Sequence, residues 1–123
     1  RDLSAGLDQF WLPAPGRKTL LISADQQAEL VRRLVTGELP FPTSALAALR
    51  EAMQVRLTDV GTLYGKTGSS GALPSGESVG WFVGYLERPG GTLVFACVLQ
   101  GEGASGKQAR ALIEGLFTSQ GLL

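Results

Sequence analysis

The chain has 123 residues, enough for one domain with its own core, and 44% of them are apolar, well above a disordered composition. Eleven basic residues balance eleven acidic ones, which excludes a basic nucleic-acid face and a polybasic membrane patch; no apolar run reaches the ~18 residues of a membrane span. With no histidine and one cysteine, Cys97, the chain can build no Ser-His-Asp triad, Cys-His dyad, internal disulfide, histidine metal site or thiolate cluster.

In chain order, "RDLSAGLDQFW" is mixed in character and "LPAPG" reads as a loop, followed by "RKTLLI" as a short strand or extended segment. Ser23 with Gln26 three residues on forms a capping-box pattern that opens a helix. Ala24, Ala28, Val31, Leu34 and Val35 then recur at helical spacing until Gly37 supplies a left-handed stop. "ELPFP" breaks the chain, and "SALAALREAMQV" is predicted as a second helix that buries Leu46, Leu49 and Met53.

Beyond Val55 the pattern changes to sheet: "GTLYGKTG", "VGWFVGYLE" and "TLVFACVLQ" read as three strands. A Gly/Ser-rich loop separates the first two, and "RPGG" joins the last two as an antiparallel hairpin. A final helix, "KQARALIEGLFTSQ", carries Ala109, Leu112, Ile113, Leu116 and Phe117 on one face. The strands lack the alternation of a sheet solvated on one side, so cover on both faces is expected. Trp81, in the middle of a strand, reads as core, Tyr64 as structural, and Cys97 as an inert buried thiol. The fold class is α+β, either a small complete domain or half of a larger one.

Lys66-Thr67-Gly68 at the end of a strand makes a coherent anion site. The ammonium supplies a point charge for a carboxylate, and Thr67 adds a hydroxyl donor. Gly68 lets a ligand approach the strand edge, and the N–H of Ser69 could meet a developing oxyanion. The same lysine would equally serve to discourage edge-to-edge pairing.

Lys-Thr-Gly is one of the motifs of penicillin-recognising serine enzymes. Together with "VGWFVGYLER", the tight turn, the next apolar strand and the C-terminal helix, it resembles class D (oxacillinase-type) β-lactamases and the β-lactam sensor domains related to them. "DQFWL" followed by "ISADQQAELVRRLVTGELPF" is similar to the segment after the Tyr-Gly-Asn motif of those families, so the resemblance covers essentially the whole chain. It implies the C-terminal portion of the serine β-lactamase/penicillin-binding-protein fold, an antiparallel sheet flanked by helices, with residues 1–123 as part of a single domain.

The resemblance also implies roles. Lys66 and Thr67 would face the β-lactam and its carboxylate, Gly68 would leave the edge open, and Ser69 would lend its N–H to the oxyanion hole. Trp11 matches a loop tryptophan whose indole N–H holds a carboxylated lysine, the CO2-derived group expected on the missing part; no other cofactor and no metal is implied. Lys107 stands about where many class D enzymes carry a carboxylate-gripping arginine, with Arg110 as a second candidate.

The chain departs from the family in one decisive respect. It contains no Ser-x-x-Lys, no Ser-x-Val or Ser-x-Asn, and no Tyr-x-Asn. In the family all three precede the position of Arg1, so a complementary N-terminal part carrying the nucleophile is expected, and the chain without it should be inactive and prone to aggregate. The expected function is β-lactam hydrolysis through an acyl-enzyme; the alternative is a β-lactam-sensing receptor domain that stays acylated. The expected location is the bacterial periplasm or exterior, no nucleic-acid partner is expected, and a homodimer is compatible with the sequence.

Overall fold

A computed structural model describes residues 21–123. It contains α1 (Ala24–Val35), α2 (Thr43–Met53), β1 (Gln54–Leu57), β2 (Thr62–Ser69), β3 (Ser78–Arg88), β4 (Gly91–Gly101) and α3 (Gly106–Ser119). Most of the segment predicted as extended before the first helix lies outside the described residues, and Leu21 and Ile22 carry no regular structure.

Helix α1 starts as its sequence dictates. The Ser23 hydroxyl accepts from the Gln26 N–H, the Gln26 side chain accepts from the Ser23 N–H, and Arg32 and Arg33 face the negative end of the helix dipole. Gly37, at φ 75°, takes the left-handed conformation just past the helix.

Four strands form one sheet in the order β1-β2-β3-β4, every neighbouring pair antiparallel. The reading of three strands missed β1. Helix α2 stops at Met53, two residues earlier than predicted, because Gln54 turns to extended backbone and "QVRL" pairs with Thr62–Tyr64 across a bulge. Val55, the last residue of the predicted helix, packs instead against the sheet core. Between β3 and β4 the chain reverses through Pro89-Gly90, and Arg88 pairs with Gly91.

Strand alternation divides the apolar residues between two faces. Leu63, Phe82 and Leu86 point to α3 and meet Ala109, Ile113, Phe117 and Leu123. Tyr64 and Tyr85 point the other way, to Val31 of α1 and Met53 at the end of α2. The expected cover on both faces is therefore present. Each fully buried Leu or Phe contributes about 2 kcal/mol to holding the layers together.

Three burial expectations need correction. Leu112 and Leu116 are 56% and 51% exposed, because the contact stripe of α3 is the narrower Ala109-Ile113-Phe117 line. Leu49 is also exposed, and only Met53 of the predicted α2 face is buried. Trp81 is half-buried rather than core, since it lies near the end of β3 beyond the cluster that α1 and α2 cover.

Candidate functional site at the end of strand β2

Strand β1 covers only the Thr62–Tyr64 part of β2, so from Gly65 to Ser69 the outer edge of β2 has no strand partner among the described residues. Just beyond the strand, the Ser70 N–H donates to the Val79 carbonyl at 2.9 Å. Backbone groups of successive residues point to opposite sides of a strand, so the Ser69 N–H faces the open edge. Ser70 also closes the ladder with its side chain, whose Oγ accepts from the Val79 N–H at 2.9 Å.

The sequence-predicted residues gather at this end. Lys66 is exposed, and its ammonium donates to the neighbouring Thr67 carbonyl. Register places Lys66 opposite Val83 and Gly68 opposite Trp81 on the face that carries Tyr64, while Thr67 and Ser69 fall on the α3 face. Lys66 and Thr67 thus leave the strand on opposite faces and meet a common ligand only along its open edge. Trp81, which reads as core in the sequence, has its Cβ 3.8 Å from where a Cβ on Gly68 would lie, so Trp81 flanks the site across the ladder.

The start of α3 completes the corner. The Gly106 N–H donates to Ser69 Oγ at 2.8 Å. Lys107, the next residue, is exposed and makes no ion pair among the described residues. Arg110 instead pairs with Glu114 one turn along its own helix at 3.4 Å. Trp11 lies outside the described residues.

Sequence reading missed the residues that join α3 to the sheet. The Ser105–Gln108 capping box has the same S-x-x-Q spacing as the box of α1 and was legible in principle. Ser78 gave no local signal: it is buried, and its hydroxyl donates to the Ala104 carbonyl at 2.7 Å, a contact 26 residues away in sequence.

The remaining titratable groups stand apart from this corner. Glu87 is opposite Thr62 at the other end of β2, which places its strand position about 23 Å from Ser69 at ~3.3 Å per strand residue. The Cys97 thiol is half-buried and burial pushes its pKa up, which disfavours the thiolate. No cluster of metal ligands occurs among the described residues.

Residues 3–117 match the model of the penicillin-binding protein transpeptidase domain. The chain belongs to that family. Within the transpeptidase family it is homologous to class D β-lactamases and to sensor domains of the BlaR/MecR type. It is 34% identical over 121 residues to the probable β-lactamase YbxI of Bacillus subtilis, an alignment covering 96% of this chain and 43% of the relative. A class D β-lactamase structure from Bacillus subtilis superposes with a TM-score of 0.82 at 33% identity, covering 99% of this chain and 47% of the other. The C-terminal domain of the Bacillus licheniformis BlaR penicillin-receptor superposes with a TM-score of 0.81 at 27% identity, covering 92% and 44%. The transpeptidase-family chain thus spans slightly less than half the length of these relatives, and its sheet and helices match the C-terminal portion of their fold. No helix among its described residues is long and apolar enough to cross a membrane.

Proposed function

We propose that this chain supplies the substrate-facing strand of a class D serine β-lactamase whose nucleophile lies on a complementary N-terminal part. The observation that carries the reading is the open edge of β2, where the Ser69 N–H, Lys66 and the start of α3 converge. The β-lactam amide would run along this edge. Its carbonyl oxygen, as it gains charge under serine attack, would accept from the Ser69 N–H; the proton of the attacking serine passes to a base on the other part.

Lys66 would stabilise the anionic substrate as a point charge, with Thr67 and Gly68 lining the edge and Lys107 a monodentate partner for the substrate carboxylate. Trp11 would steady a carboxylated lysine of the N-terminal part, which makes deacylation the step most sensitive to its loss. A bacterial periplasmic or secreted location accords with this chemistry. Steady-state hydrolysis of a chromogenic cephalosporin by the chain together with its N-terminal part tests the reading, and absence of turnover by folded protein would overturn it.

The likeness to the BlaR penicillin-receptor favours a second reading, in which the same edge binds the drug and the acyl-enzyme persists as a signal. The two differ only in deacylation: the enzyme releases its adduct within a turnover, and the receptor retains it.

A further inference from the structure

We propose that the N-terminus of α3 is a clamp that fixes where the Ser69 N–H stands, with Ser78, Gly80 and Gly106 as its positioning residues; this rests on the β-lactam reading above. Among the described residues β2 has no strand partner on its outer edge past Tyr64, so on that side no strand ladder holds its last residues. The β3 ladder holds the inner edge as far as Ser70, and the start of α3 adds four contacts that reach both β2 and β3.

Two of them are hydrogen bonds. The Gly106 N–H holds Ser69 Oγ at 2.8 Å, and the buried Ser78 hydroxyl holds the Ala104 carbonyl at 2.7 Å, which fixes the loop just before the helix. The other two are close approaches that only glycine permits. A Cβ on Gly80 would lie 2.1 Å from the Ser105 carbonyl carbon and 2.2 Å from its oxygen. A Cβ on Gly106 would lie 2.7 Å from the Gly68 oxygen, 2.9 Å from the Gly68 nitrogen and 2.9 Å from Thr67 Cβ.

The obstructing atoms are chiefly backbone, so no side chain can swing aside to admit a methyl group. The Ser105–Gln108 box makes the helix start stiff in its own right. A methyl at Gly106 must therefore move the helix and the Thr67-Gly68-Ser69 edge apart. Displacements of about 1 Å at a reacting centre cost on the order of 100-fold in rate.

The test uses the chain together with its N-terminal part, labelled with a fluorescent penicillin over time. The rate constant comes from the exponential phase and the folded fraction from circular dichroism under the same conditions, and the rate constant is divided by that fraction, so a variant that merely unfolds in part keeps its corrected rate constant. Gly106→Ala is expected to slow acylation by roughly 10- to 100-fold. Ser78→Ala, which adds no atom and is the decisive variant if Gly106→Ala does not fold, is expected to slow it about fivefold, as loss of one buried hydrogen bond would. Gly115→Ala, on the same helix with no atom within 4 Å of the new methyl, should keep the parental rate constant. Parental rate constants in Ser78→Ala and in whatever Gly106→Ala folds, even at reduced amplitude, would overturn the clamp. A parental protein that takes no label would instead overturn the β-lactam reading and the clamp's role with it.

Discussion

The rings of Tyr64 and Tyr85 stack across β2 and β3 with centroids 4.6 Å apart and planes within 13°. Arg50 of α2 lies over the Tyr64 ring at 4.5 Å and grips Glu87 of β3 with two hydrogen bonds of 2.7 and 2.6 Å. One arginine thus ties α2 to the sheet by charge and by ring contact.

The Arg50 guanidinium, through its hydrogen bonds, keeps the Glu87 carboxyl below its ordinary value near 4.5, against a smaller opposing effect of burial. A depressed carboxyl stabilises the fold above that ordinary value, and the contribution is lost as pH falls through the lower folded-state value. Glu87→Gln should flatten the acid limb of a pH-dependent melting profile. Both side chains are more than a third exposed, so solvent screening limits the cost at neutral pH to about 1 kcal/mol.

Gly65 and Gly84 face each other across β2 and β3, and a Cβ on Gly84 would lie 2.0 Å from the Tyr64 carbonyl oxygen. Gly84→Ala must separate the two strands and should cost about 3 kcal/mol. Chemical denaturation measures it, with the midpoint falling and the slope unchanged.

Lys66 is exposed and carries no core packing, so Lys66→Ala should leave the melting temperature within a few degrees of parental. Its proposed charge acts on the bound anion, so kcat/KM for a β-lactam should fall roughly 100-fold, the scale on which one pre-organised transition-state partner acts. Equal losses of stability and activity would refute that division.

Cys97 is half-buried in β4 and its thiolate is disfavoured. Native protein should react with iodoacetamide at pH 8 at least ~10-fold more slowly than denatured protein, as burial and a raised pKa require. Equal rates, followed by mass, would place the sulfur in solvent.

Local signals carried most of the fold into the sequence. The Ser23 box, the Gly37 stop and the turn before Gly91 each act within a few residues, and each element they bound lies where those signals put it. β1 was hidden because its four residues follow α2 without a break, and only pairing with β2 makes them a strand. At the site, Lys66, Thr67, Gly68 and Ser69 could be named from a short motif. Ser78, Gly80 and Gly106 could not, because their partners lie 25 to 39 residues away and no local spacing encodes a backbone-to-backbone approach.

Intact mass of the chain together with its N-terminal part, followed over time after mixing with a chromogenic cephalosporin, tests the central claim most directly. The expected result is a polypeptide that gains the drug's mass and loses it again within seconds; an adduct that persists for hours would transfer the site to the receptor reading. Folded protein that shows neither adduct nor turnover would contradict the claim that the β2 edge serves β-lactam chemistry.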